Sequence, residues 1–195
     1  MLADETRISP SYTAGEWRAL AFDTEQDWNT AIAIAEDRIG RRFLDPVQAM
    51  MDSDGVGSWC GFAVLAIDCL LIETLYAFEH GLPNTRNQSR KAFIRFLLAS
   101  PVFAAHFDER TAADFYSQVR CGILHQSETV DGALVRTSTD CQVVSLTEDG
   151  GQLVVNRNLF HQGLVQHFND YLALLRGGDR TLRANLRRKL DAICR

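Results

Sequence analysis

Several common signatures are missing from this sequence of 195 residues. It has no G-x-x-x-x-G-K-[ST], no G-x-G-x-x-G and no G-x-S-x-G. The usual marks of nucleotide-dependent phosphoryl transfer, dinucleotide redox and α/β-hydrolase chemistry are therefore absent. No H-E-x-x-H occurs, and Glu79-His80 has the wrong spacing for the Glu-x-x-His of a di-iron bundle. Nothing asks for a metal or a cofactor. No C-x-x-C occurs either. Five scattered cysteines, Cys60, Cys69, Cys121, Cys141 and Cys194, form neither a zinc ribbon nor a secreted disulfide framework. The first residues hold Asp4 and Glu5 and no apolar run, so no signal peptide is visible. The longest apolar stretch, Trp59 to Ile72, is short for a bilayer span and contains Asp68. These readings together predict a protein of a reducing cytoplasm, without a membrane partner.

Lysine is scarce too. Only Lys91 and Lys189 accompany eighteen arginines, and the formal net charge is −5. That charge excludes a uniformly basic nucleic-acid coat. The sign is uneven, however. Residues 176–195 carry Arg176, Arg180, Arg183, Arg187, Arg188, Lys189 and Arg195 against Asp179 and Asp191. This tail is +5, so residues 1–175 sum to −10. A basic tail can track an RNA backbone, face solvent, or pair with the acidic remainder.

Hydrophobic residues make up 46% of the chain and charged residues 23%, enough for an ordinary folded core. Residues 1–26 read as an irregular arm with a short helix near Trp17. From Asp27 to about Met51, the three- and four-residue steps of Trp28, Ile32, Ala35, Ile39 and Phe43 predict a helix. Ser58 is placed to cap the next helix, which runs to about His80 before Gly81 and Pro83. It is apolar on nearly every side, as in the centre of a bundle. Asp68 and Glu73 are the acids in its middle. A third helix follows Ser89 and stops near Pro101. A fourth begins at Thr111, where Thr111 and Asp114 resemble a capping box.

Residues 130–156 change character. Ala133–Thr137, Gln142–Leu146 and Gln152–Val155 read as short strands, with a turn at Glu148-Asp149-Gly150-Gly151. Asn156 then caps a helix ending at Gly177-Gly178, and a basic helix from Asp179 closes the chain. The expectation is an all-α bundle of five to six helices carrying a small β-hairpin insertion. Its domain organisation is an arm, 1–26, and one helical domain, 27–195.

One segment stands apart: Phe115-Tyr116-Ser117-Gln118-Val119-Arg120-Cys121-Gly122-Ile123-Leu124-His125-Gln126-Ser127-Glu128-Thr129. It places Arg120 and His125 late in an amphipathic helix. Arginine is permanently charged and grips phosphate. Histidine titrates near neutral pH. Together they suffice for metal-free RNA cleavage, one moving a proton and the other holding the charge of the phosphorane. Chance alone supplies roughly 0.5 such Arg-x4-His pairs in a chain of this composition, so the helical context carries the reading.

That segment, in an all-α bundle, resembles the HEPN superfamily of prokaryotic ribonucleases and their inactive relatives. At the level of architecture the likeness spans residues 27–175; residue by residue it is confined to 115–129. The resemblance implies a metal-independent endoribonuclease of the toxin or phage-defence kind. It implies Arg120 and His125 as the catalytic pair, RNA as substrate and a site formed between two protomers. It also leaves room for an antitoxin or regulatory protein as a further partner. The sequence departs from the family at Cys121, where a polar residue, commonly Asn or His, follows the arginine. The β insertion is likewise outside the minimal bundle.

Helix geometry bears on the pair. At 3.6 residues per turn, positions 120 and 125 sit about 140° apart, flanking the stripe of Phe115, Val119, Gly122 and Ile123. Either the helix unwinds after Gly122, or Arg120 of one copy faces His125 of another across a two-fold axis. Other readings stand beside these. Arg120 can serve as a buried ion-pair partner for Asp68 or Glu73, one of which would orient it. His125 can simply meet a helix C-terminus. Tyr116 can pack the core or touch substrate. Cys121 can be a reactive thiol or inert filling. Gln126 and Glu128 read as loop residues, and His161 and His167 as structural. The alternative function is a non-catalytic HEPN-like module that binds a partner protein, nucleotide or RNA. A plain helical interaction domain is the third.

Overall fold

A computed structural model describes residues 1–137 and 142–195, and these are mostly helical with one small sheet. They cluster into two compact units. The first is Met1–Pro46, Ala77–Thr85 and Phe168–Arg195; the second is Val47–Tyr76 and Arg86–His167.

The first unit begins with the N-terminal segment. Its short helix α1, Ala14–Arg18, starts at a capping box between Thr13 and Glu16. Trp17 is buried and its indole donates to Asp191 Oδ1 at 2.9 Å. The segment is thus pinned to the far end of the chain. A second capping box, Thr24 with Asp27, opens α2, Glu25–Ile39. A wide π-helical turn, Gly40–Leu44, follows, and then α3, Asp45–Asp52, whose residues from Val47 on belong to the second unit. The expected helix therefore spans 25–52, with a bulge absorbed at its middle. Ile32, Ala35 and Ile39 are buried as the periodicity required.

The basic C-terminal helix, α9 (Arg180–Ile193), starts at Asp179, whose side chain caps the Leu182 N–H at 2.9 Å. Much of its charge is turned onto this unit. Arg183 makes a forked pair with Glu25, both contacts at 2.8 Å, and lies over the Trp28 ring. Arg187 lies 4.3 Å from the Phe22 ring centroid. Lys189 donates to the Pro83 carbonyl at 2.8 Å. Of the three readings of the tail, pairing within the fold accounts for these residues.

In the second unit the central helix is α4, Gly61–His80, of which residues up to Tyr76 belong here. It is long and apolar enough to cross a membrane by composition, yet 61% of its most apolar stretch is buried within the protein. The chain enters it through a turn in which Trp59 and Cys60 donate to the Val56 carbonyl. α4 accordingly starts later than a Ser58 cap would place it. Next come α5, Ser89–Ala99, and α6, Glu109–Asp114. Asp108, not Thr111, caps α6, accepting from the Thr111 N–H at 2.7 Å. An aspartate one turn earlier outcompetes the Thr111–Asp114 pairing.

Phe93, Phe103, Phe107, Phe115 and Phe160 form a continuous aromatic core with centroid separations of 5.0–6.3 Å. Helix α8, Arg157–Arg176, belongs to this unit up to His167, and at its start Asn156 Oδ1 accepts the N–H groups of Asn158 and Leu159.

The sheet has the order β1-β3-β2, with β1 at Leu134–Arg136, β2 at Val144–Leu146 and β3 at Leu153–Asn156. β2 and β3 form the expected antiparallel hairpin, turning through Glu148–Gly151 with Gly150 at φ +71°. β1 adds parallel to β3, with Leu134 opposite Val154. A three-stranded mixed sheet thus replaces a bare hairpin. Cys141 lies outside the described residues.

Candidate functional site

The segment 115–129 has an unusual backbone. Phe115–Cys121 is a π-helical turn, and α7, Gly122–Gln126, follows it. A π turn leaves carbonyls without their ordinary helical partner. One of them, that of Gln118, accepts from the Val130 N–H at 2.9 Å. The returning loop passes so close to Gly122 that a Cβ there would lie 2.5 Å from the Glu128 carbonyl oxygen. Gly122 is needed for this approach and stays helical, at φ −58°. The helix does not unwind after Gly122; it continues to Gln126 and ends at Ser127 in the left-handed region. The loop packs against the bulge, and the helix stays continuous from Phe115 to Gln126.

Arg120 sits in the π turn and points at α4. Its Nη2 donates to Glu73 Oε1 at 2.7 Å, and its Nε donates to the same oxygen at 3.2 Å. Both side chains are mostly buried, at 17% and 14% exposure. Nη2 also reaches Ser89 Oγ at 3.3 Å. The guanidinium lies 5.2 Å from the Tyr116 ring centroid, and the Tyr116 hydroxyl donates to the same Ser89 Oγ at 3.2 Å. Burial pulls the Arg120 guanidinium toward neutrality; the Glu73 carboxylate outweighs it and holds the cation more firmly than usual. The i, i+4 spacing of Tyr116 and Arg120 sets the ring beside the charge.

Of the expected residues, Arg120, Glu73 and Tyr116 come together, and Cys121 follows Arg120 as a half-buried thiol. Asp68 goes elsewhere. It is fully buried and pairs with His161 of α8, Oδ1 to Nδ1 at 2.9 Å. Burial pushes its carboxyl above the usual range, and His161 offsets this in part. His161 thus serves the fold, as does His167, whose Nδ1 meets Ser100 Oγ at 2.8 Å. His125 and Gln126 are exposed on α7, and no hydrogen bond joins His125 to Arg120. Ser89 was not legible as a site residue; nothing in its local sequence marks a hydroxyl shared by two residues 27 and 31 positions away.

Beside Ser89 and Tyr116 runs an open groove of about 620 Å³ along α5. Arg90, Lys91, Arg95 and Glu109 are among the residues lining it, three cations to one carboxylate. Among the described residues no cluster of His, Cys, Asp and Glu could hold a metal ion. Comparison of the chain with family models, with curated proteins and with solved structures finds no match.

Proposed function

We propose that this chain is a HEPN-like, metal-independent endoribonuclease in which Arg120 holds the scissile phosphate and His125 moves the proton. The observation that carries the reading is the built environment of Arg120. An arginine in a π turn is fixed by Glu73, Ser89 and Tyr116, and its Nη1 takes no part in those bonds. A preorganised guanidinium costs little reorganisation when charge develops on the phosphorane. π bulges recur at functional positions.

The chemistry is an internal transfer. The ribose 2′-hydroxyl loses its proton to a base and its oxygen attacks phosphorus. The bond from phosphorus to the 5′ oxygen breaks, and that oxygen takes up a proton. The products are a 2′,3′-cyclic phosphate and a 5′-hydroxyl. The imidazole of His125 is suited to accept or return that proton. Arg120 is held inward while His125 is exposed on the continuing helix. This arrangement supports a site shared by two protomers, Arg120 of one beside His125 of the other. The cationic groove along α5 supports RNA as the polyanion, because phosphates bind there by charge without reading sequence.

The test is cleavage of a mixed RNA pool by wild type and by Arg120→Lys. A lysine keeps the charge and loses the fork, so cleavage should fall sharply while RNA binding persists. Equal cleavage by the two would remove Arg120 from the reaction. The second reading, a non-catalytic module binding RNA or a partner protein, is favoured by one residue, Cys121, at the position where the family carries a polar side chain.

A further inference from the structure

Arg157 presents a different problem from Arg120. It is the first residue of α8 and only 4% exposed. Its Nη1 donates to Cys60 Sγ at 3.2 Å and its Nη2 to the Gly57 carbonyl. Its Nε is buried with no partner. Among the described residues no carboxylate pairs with it, whereas Arg120, Arg176 and Arg183 each have one. A buried cation without a counter-charge is costly. Its position makes the imbalance worse, because the N-terminus of a 20-residue helix is itself positive. Asn156 takes up two of the orphan N–H groups there but brings no charge.

Arg157 lines an open pocket of about 160 Å³, together with Arg136, Ser58, Thr137, Trp59 and Phe62. Gly61 keeps it open: a Cβ there would stand 3.1 Å from Val135 Cγ1 and 3.5 Å from Arg157 Nη1. Two arginines, a serine and a threonine line a space too small for a whole cofactor, since complete ligand pockets run to roughly 300–1,000 Å³. It suits a single anionic group. At its rim Trp59 is 87% exposed and Phe62 is 43% exposed, with no core to fill. An indole left in solvent beside an anion hole offers a face on which a planar ring can stack.

We propose that this pocket binds the phosphate of a nucleotide, held by Arg157 and Arg136, with the base stacked on Trp59. Arginine's planar fork matches phosphate with two donors at once. The phosphate can belong to a free mononucleotide or to one nucleotide of an RNA strand; the chemistry recognised is the same. The site uses none of the groups assigned to cleavage.

Calorimetric titration of the full chain tests this, with adenosine 5′-monophosphate, adenosine, inorganic phosphate and a 5′-hydroxyl oligouridine as separate probes. The mononucleotide should bind, and adenosine or inorganic phosphate alone should bind at least about tenfold more weakly. Trp59→Ala and Arg136→Met, both at exposed positions, should each weaken binding about tenfold with the thermal midpoint unchanged. Arg157→Lys should weaken it further; if that variant fails to fold, the two exposed variants decide. Binding of the oligouridine alone, lost in the same variants, assigns the phosphate to a strand. The His125→Ala variant should bind every probe like wild type, which separates this site from the cleavage reading. The proposal is overturned if no probe binds, or if Trp59→Ala and Arg136→Met bind as tightly as wild type.

Discussion

Arg120 donates twice to a single oxygen of Glu73, at 2.7 and 3.2 Å, across the interface between the π turn and the central helix. The glutamate holds the cation at a fixed orientation. Replacing it by glutamine keeps the shape and removes the countercharge. Glu73→Gln should cost about 1–3 kcal/mol of folding stability, read from the urea midpoint. It should also lower RNA cleavage, because the guanidinium is no longer held. Unchanged stability would mean that the pair contributes only geometry.

Tyr116 makes two separable contributions. Tyr116→Phe keeps the ring beside Arg120 and removes the hydroxyl bond to Ser89. It should cost about 1 kcal/mol. Tyr116→Ala also removes the edge contact with Phe93, whose centroid lies 5.3 Å away, and should cost about 3 kcal/mol or more. Thermal unfolding of the two variants side by side checks the order.

The buried Asp68–His161 pair predicts a pH dependence. Burial raises the Asp68 carboxyl in the folded state above its unfolded value. The native protein therefore binds this proton more tightly than the unfolded chain. Stability from this group is fullest below the unfolded value, near pH 4, and is lost as pH rises toward the raised folded value. Urea titrations of wild type and Asp68→Asn across that window should converge or cross in that direction. A wild-type advantage that grows with pH would reverse the assignment.

The N-terminal segment belongs to the folded core of its unit. Trp17 is 1% exposed and hydrogen-bonded to Asp191. Trp17→Ala should cost about 3–5 kcal/mol, a loss visible in the thermal midpoint. A neutral outcome would make the segment an ornament.

The helices were legible wherever one face repeats, as in the stripe of Ile32, Ala35 and Ile39. So was the turn at Glu148–Gly151, because glycine and aspartate carry their own conformational signal. Positions that depend on contacts distant in sequence were not. The π turns at 40–44 and 115–121 are invisible to a 3.6-residue period. Only the return of Val130 to the Gln118 carbonyl explains the second. Asp68 and Glu73 looked equivalent as partners for Arg120. They lie five residues apart on α4, on different sides of the helix, so one meets His161 and the other Arg120. Trp17 was hidden because its partner lies 174 positions away. The buried Arg157 was indistinguishable from seventeen other arginines in sequence, because only the fold shows that no carboxylate among the described residues pairs with it.

Incubation of purified protein with a mixed RNA pool in EDTA, beside His125→Ala, tests whether the chain is a metal-independent ribonuclease. His125 is exposed, so its loss should leave the fold intact. Wild type alone should cleave, leaving 2′,3′-cyclic phosphate and 5′-hydroxyl ends. Cleavage by His125→Ala at the wild-type rate, or no cleavage by folded wild-type protein, would contradict that reading.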